Sequence, residues 1–295
     1  MSTLVDGIHL FADKAGLLNL EGHVETALPG VRFFRASKGS PRQPLVYQSG
    51  IIIVVQGRKV IHFPDHHIQY GAGDYLVLGV PMPLECEAFV DNGLPIMGLS
   101  IDVKPALLHQ LVNHMQHQRY SQSEPCSQIS CAQAAKVDAP LENIIQRLLV
   151  ILSNPVETDI FGADVIKELV YRVLCGPQGK TLFGLAQHDG HYARVARALA
   201  SLHANYASPI TVETLADDVN MSVSAFHRAF KQVTFESPLQ YLKKVRLVKA
   251  KDLITANGSR ASEAAFQVGY TSASQFSREF KRHFNQSPSE VSMSA

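Results

Sequence analysis

Residues 215–231, LADDVNMSVSAFHRAFK, are echoed by residues 264–281, AAFQVGYTSASQFSREFK. The second copy carries one extra residue in its middle. The shared tail is Phe-x-Arg-x-Phe-Lys, and Arg228 and Arg278 stand 50 residues apart. Each copy is followed by Ser-Pro, at Ser237-Pro238 and Ser287-Pro288. Asn220 and Gly269 come just after the first apolar stretch, where a positive φ ends a helix and Asn or Gly adopts it at least cost. Ser222 and Ser272 stand where a hydroxyl caps the next helix by accepting a backbone N–H. Each copy therefore reads as helix, tight turn, capped helix and stop, the helix-turn-helix pattern.

The second helix of each copy has two unlike faces. In the first, Phe226, Ala229, Phe230 and Val233 form the inner face, and Ser224, His227, Arg228 and Lys231 the outer one at i, i+3, i+4 and i+7. In the second, Phe276, Phe280 and Phe284 form the core ridge. Ser274, Ser277, Arg278 and Lys281 lie outside, with Gln275 beside them. Side chains of this kind suit a DNA major groove: Arg pairs with guanine O6 and N7, Gln with adenine, and Lys with phosphate. A single such face is equally that of any solvated helix; the repetition of turn and tail favours the groove.

Between the copies, residues 239–254 read as a long helix carrying Lys243, Lys244, Arg246, Lys249 and Lys251. A rod of this kind would fix two recognition helices for successive major-groove segments about 34 Å apart. Its charge would serve phosphate contact and make affinity fall with salt, or would merely solubilise the helix. From His191 onward there are 13 basic and 8 acidic residues, which leaves 14 basic and 18 acidic before it; the net charge of +1 hides this asymmetry.

Upstream, residues 31–103 read as short strands at Leu45–Gln48, Ile51–Val55, Lys59–Phe63, Tyr75–Val80 and Ile96–Val103, broken by Gly turns, a pattern suited to a small barrel or sandwich. Pro105 begins a helical region, and residues 126–139 read as a loop. Leu141, Ile144, Ile145, Leu148, Leu149 and Leu152 then form an apolar stripe that ends at Pro155. A second helix, with Val165, Ile166, Leu169, Val170, Val173 and Leu174, completes a hairpin. The stripe suits packing on its own barrel and a dimer interface equally. Residues 176–190, rich in Gly, read as a linker.

At 295 residues and 46% hydrophobic content the chain suits two folded domains. No apolar run approaches the roughly 20 residues of a membrane span, and no secretory signal is visible. Four cysteines without a C-x-x-C pair suit reduced thiols in the cytoplasm. The phosphate-loop, G-x-S-x-G and H-E-x-x-H motifs are absent.

At the residues quoted above the chain resembles the AraC/XylS family of bacterial transcription regulators over about residues 190–292. The likeness rests on Leu215-Ala216, Met221-Ser222-x-Ser224, the two Phe-x-Arg-x-Phe-Lys tails, Ser237-Pro238-x-x-Tyr241, Arg246-Leu247 and Val268-Gly269-Tyr270. Gly50–Gly57, Tyr75–Leu78, Glu168–Tyr171 and Leu174-x-Gly176-Pro177-x-Gly179 are similar to the family's cupin-like sensing region. The resemblance implies sequence-specific promoter binding, a homodimer and effector control through the barrel. In this family Gly often stands where this chain has Phe235 and Asn285, so a different turn is expected at the first junction, since a bulky residue at positive φ is costly.

The expected fold class is α+β, with a cupin-like β-barrel and helical hairpin followed by an all-α double helix-turn-helix domain. The expected boundaries are 1–180 for sensing and dimerisation (barrel about 25–103, helical region about 105–176), 181–190 for the linker and 191–295 for DNA binding. The expected partners are double-stranded promoter DNA, an unidentified small-molecule effector, RNA polymerase and a second copy of the chain. No cofactor, metal, catalysis or membrane association is expected. Activation is the working direction, although the sequence does not separate it from repression.

Cys86, on an expected strand, reads as core filler or as a thiol that senses an oxidant or electrophile. Glu85 and Glu87 would raise its pKa if close, which disfavours the sensor. His62, His66 and His67 lack the Glu that a cupin metal site requires. The rival readings are a cupin-type metal-dependent enzyme with an accessory helical domain and a non-specific nucleic-acid packaging protein.

Overall fold

In the computed structural model, which describes residues 3–63, 66–117, 132–186 and 190–294, the run Ile51–Val55 lies in a strand buried on both faces. That is why it lacks polar alternation. The strands are β1 (Gly22–Glu25), β2 (Val31–Ala36), β3 (Ser40–Tyr47), β4 (Gly50–Gln56), β5 (Arg58–His62), β6 (His67–Gly71), β7 (Asp74–Leu78), β8 (Met82–Phe89), β9 (Ile96–Ile101) and β10 (Ala132–Lys136). They form a six-stranded sheet in the order β1-β2-β9-β4-β7-β10 and a four-stranded sheet in the order β3-β8-β5-β6. β4 lies antiparallel between β9 and β7, with Ile51 opposite both Ile101 and Val77.

The two faces of the larger sheet bury different things. Phe33, Ile51, Ile53, Val55, Val77 and Leu99 join one core with helices α1 (Thr3–Lys14), α2 (Pro105–His117), α3 (Ala139–Leu152), α4 (Pro155–Cys175) and α5 (Gly179–Ala186). Ile52, Val54, Leu76 and Leu78 are buried on the other face, which looks onto the smaller sheet. There the Lys59 ammonium of β5 lies 4.0 Å from the Phe34 ring centroid of β2.

The chain divides into two compact units, Met1–Arg42 with Gln48–Val80 and Cys86–His188, and Gln43–Tyr47 with Pro81–Glu85 and Asp189–Ala295. The helices of the second unit are α6 (His191–Ala204), α7 (Val212–Asp218), α8 (Val223–Thr234), α9 (Pro238–Asn257), α10 (Ala261–Gln267), α11 (Ala273–Phe284) and α12 (Pro288–Ser294).

Three expectations need correction, and for the α3 stripe one of its two readings holds. Part of the expected loop at 126–139 is the strand β10, which pairs with β7 from Ala132↔Leu78 to Lys136↔Asp74; Cys126 and Cys131 lie outside the described residues. Most of the expected linker is α5, whose Leu182 is fully buried in the first unit's core. Gly179 makes this possible, because a Cβ there would lie 1.9 Å from the Leu174 carbonyl oxygen. The α3 stripe belongs to its own unit's core: Leu141, Ile144, Ile145, Leu148, Leu149 and Leu152 are all buried. The apolar surface left open lies elsewhere on the hairpin, at Val150, Val156, Ile160 and Phe161, each more than half exposed. Finally, the junction after α8 does not avoid positive φ. Phe235 adopts the left-handed conformation (φ 62°) and Asn285 does the same after α11 (φ 56°). Such a conformation costs a non-glycine residue about 1–2 kcal/mol, which the surrounding bundle must offset.

Candidate nucleic-acid interface

The first copy is α7, a turn, and α8. Thr211 caps α7: its hydroxyl accepts from the Thr214 amide (3.2 Å), and Thr214 Oγ1 accepts in return from the Thr211 amide (3.3 Å). Asn220 takes φ 53° in the turn, and Ser222 Oγ accepts from the Ala225 amide to start α8. The second copy is α10, a turn, and α11. Gly269 takes φ 88°, and Ser272 Oγ accepts from the Gln275 amide. The expected turn and cap residues thus act at their expected places.

An arginine from outside each turn holds it. Arg194 of α6 donates to the Asn220 carbonyl (2.9 Å). Arg246 of α9 donates to the Gly269 carbonyl (3.2 Å), and also to the carbonyls of Tyr206 (2.7 Å) and Ser208 (2.9 Å). The inner faces are alike as well. Phe226 and Phe230 (centroids 5.5 Å apart) match Phe276 and Phe280 (5.4 Å), and all four are fully buried. Burying each ring is worth about 1.5–3 kcal/mol, so both recognition helices are anchored by the same pair of residues.

The outer faces are open. Ser224, His227, Arg228 and Lys231 on α8, and Ser274, Gln275, Ser277, Arg278 and Lys281 on α11, are all exposed. Arg228 and Arg278 have no hydrogen-bond or ion-pair partner among the described residues. Ser277 donates to the Ala273 carbonyl (2.9 Å).

The rod α9 departs from both of its sequence readings. It is neither an exposed phosphate track nor a merely solvated helix. Lys243 pairs with Glu279 of α11 (3.1 Å), Lys244 with Glu236, and Lys251 lies 5.0 Å from the Phe284 ring centroid. Burial lowers the pKa of the Arg246 guanidinium and of the Lys251 ammonium. Its positive charge is largely spent binding the bundle together. Glu279 itself, held also by Tyr270 (2.9 Å), lies outside the sequence reading. The signal was its i+4 spacing from Gln275.

In the first unit, Cys86 is buried and donates weakly to the Glu87 carbonyl (3.4 Å). The flanking glutamates do not crowd it, because strand alternation sends them to the opposite face; Glu87 faces His62 there (3.6 Å). One charged group coupled to Cys86 is Lys59: burial lowers the Lys59 pKa and the Cys86 sulfur opposes that shift. Among the described residues no three His, Cys, Asp or Glu side chains gather closely enough to hold a metal ion, and no helix is long and apolar enough to cross a membrane.

Residues 27–181 match the model of the AraC-type transcriptional regulator N-terminus, and residues 215–293 match a helix-turn-helix domain. The chain is 41% identical over 97 residues to the HTH-type transcriptional regulator AlkR of Acinetobacter baylyi, which is 33% of this chain and only 32% of AlkR. It is 27% identical to the lactose operon transcription activator of Staphylococcus xylosus, over 83% of this chain and 84% of that protein. Its fold is similar to that of fatty-acid-bound ToxT from Vibrio cholerae, with a TM-score of 0.59 at 13% identity, covering 89% of this chain and 94% of ToxT. With a family model that spans more than half of its length and a helix-turn-helix pair behind it, the chain belongs to the AraC-type transcriptional regulators.

Proposed function

We propose that α8 and α11 enter two successive major-groove segments of one promoter duplex. In this reading Arg228 and Arg278 read bases, while Ser224, His227, Lys231, Ser274, Gln275, Ser277 and Lys281 supply further base and phosphate contacts. The observation that carries it is the matched pair Arg228 and Arg278, unpartnered among the described residues and exposed on helices whose inner faces, turns and caps repeat. The test is protection footprinting of promoter fragments in the presence of bulk competitor DNA. Two protected segments about one helical turn apart support the reading, and affinity indifferent to sequence overturns it.

The first unit serves as the sensor, and an effector that binds one arrangement of the protein better than another shifts the population toward it. ToxT, whose fold this chain shares, was solved with a fatty acid bound, which makes carboxylic acids a rational first panel of effectors. Thiol sensing at Cys86 is supported by its electrostatic coupling to Lys59, and a Cys86→Ser protein with a wild-type inducer response excludes it. A homodimer is supported by the open apolar corner at Val150, Val156, Ile160 and Phe161; a monomer at micromolar concentration in sedimentation equilibrium excludes it. Activation agrees with the name of the Staphylococcus xylosus relative, and transcription in vitro with RNA polymerase from the footprinted promoter tests it; a cytoplasmic location belongs to the same reading. No catalytic role is assigned.

A further inference from the structure

We infer that Glu279 is a positioning residue that makes Gln275 a reader of adenine in the second recognition helix. This rests on the proposed entry of α11 into a major groove. Gln275 lies in the first turn of α11 and is exposed, the part of a recognition helix that contacts base edges. Its amide nitrogen donates to Glu279 Oε1 at 3.3 Å. The carboxylate that receives this bond is fixed from behind: Tyr270 donates to Oε2 (2.9 Å) and the Lys243 ammonium of α9 lies 3.1 Å from Oε1. Burial works to raise the Glu279 pKa, but the hydrogen bonds from Lys243, Tyr270 and Gln275 outweigh it and hold the carboxyl below its usual value.

An ionised carboxylate only accepts. It therefore selects one of the two amide orientations of Gln275, with nitrogen toward Glu279 and oxygen away. The amide oxygen and the second N–H then remain as an acceptor beside a donor. Adenine presents the complementary pair in the major groove, an N6 donor beside the N7 acceptor, whereas guanine presents two acceptors. A glutamine without Glu279 turns its amide over and tolerates either purine.

The first copy lacks the device. Ala225 and Ala229 occupy the positions that match Gln275 and Glu279.

The experiment uses the full chain and its footprinted operator, with each groove-facing base pair replaced in turn and binding followed by titration. For the wild type, one adenine position in the segment covered by α11 should show a loss of about tenfold or more on replacement by guanine. Gln275→Ala should abolish that penalty at this position alone. Glu279→Ala should reduce it to threefold or less while Arg278-dependent affinity persists. The conservative Glu279→Gln, which keeps an acceptor and the side-chain volume, should restore part of it and serves where Glu279→Ala fails to fold. Glu279 variants that keep the full penalty, or a Gln275→Ala protein that changes no single position, overturn the inference and leave the two-groove reading standing. Loss of sequence-selective binding in the wild type overturns both.

Discussion

The two helix-turn-helix copies share a scaffold and differ in what they expose. Both bury a phenylalanine pair, both start the recognition helix on a serine cap, and both have the turn carbonyl held by an arginine from a preceding helix. The arginines come from different helices, Arg194 from α6 and Arg246 from α9, so the same mechanical solution is reached twice. The exposed faces diverge. Behind its arginine, α8 has Ala225 and Ala229, while α11 has Gln275 and a clamped Glu279. The lesson is that folding constrains the inner half of each copy while the outer half is free to specialise. In the proposed reading the first contact is left adaptable and the second preorganised.

The largest expected effect tests whether the packing around the two copies is equally stable. His203, in α6 ahead of the first copy, and His283, in α11 of the second, are both half-buried. Burial lowers the pKa of His203 to about 4, with Lys249 adding to the shift, and it lowers that of His283 to about 4, with Lys244 adding to it. Each folded value lies below the ordinary value of 6.5, so between the two the unfolded chain binds protons that the folded chain refuses. Stability is therefore complete above about pH 6.5 and is lost as pH falls toward 4. At 1.36 kcal/mol per unit, each histidine contributes up to about 3 kcal/mol. Urea unfolding of the full chain from pH 7 to pH 4.5, followed by circular dichroism, should show the fall, and His203→Gln and His283→Gln should each remove about half of its slope. One variant that removes all of it would show that a single histidine governs acid stability.

Next in size is the contrast between the turns. Gly269 combines φ 88° with a site where a Cβ would lie 2.3 Å from the Ala207 carbonyl oxygen. Gly269→Ala should cost about 3 kcal/mol, from a positive φ and a backbone clash together. Asn220→Ala, with φ 53°, should cost nearer 1 kcal/mol. Equal costs in chemical denaturation would mean that the second turn moves to make room.

At the interface, Arg228→Ala and Arg278→Ala should each lose about 1–3 kcal/mol of operator binding if they read bases. No measurable loss for both in a binding titration would defeat the assignment. A preorganised second copy further requires that Arg278→Ala relax specificity over fewer base pairs than Arg228→Ala does.

The copies were legible in the sequence because their determinants are local. Helical spacing, a turn residue and a serine cap all fall within about 18 residues. What the sequence hid was set by packing between elements. The strand β10 is Ala-Gln-Ala-Ala-Lys, without one β-branched residue, and it is extended because β7 offers an edge. The lysines of α9 look solvated until Glu279 of α11, and Glu236 from the junction just before α9, arrive beside them. Gly179 stood out only as part of the family-like stretch Leu174-x-Gly176-Pro177-x-Gly179, and its close approach to the Leu174 carbonyl arises once α4 ends and α5 turns back. For the same reason Lys59 could not be paired with Cys86 in advance: strand order across β5 and β8 is not written in either strand.

The smallest effect concerns the helix ends. Phe235 and Asn285 occupy equivalent left-handed positions, but Asn285 is exposed and Phe235 half-buried. Asn285→Gly relieves a conformational cost without removing buried surface, and should stabilise the chain by a few tenths of a kcal/mol, at most about 1 kcal/mol. Phe235→Gly relieves a larger cost, since asparagine tolerates this region better than a bulky aromatic residue does, but it also deletes a half-buried ring whose complete burial would be worth about 1.5–3 kcal/mol. The expected order in thermal unfolding is therefore Asn285→Gly above wild type and Phe235→Gly at or below it. A Phe235→Gly protein more stable than Asn285→Gly would mean that the ring contributes little and that the first junction carries the larger uncompensated strain.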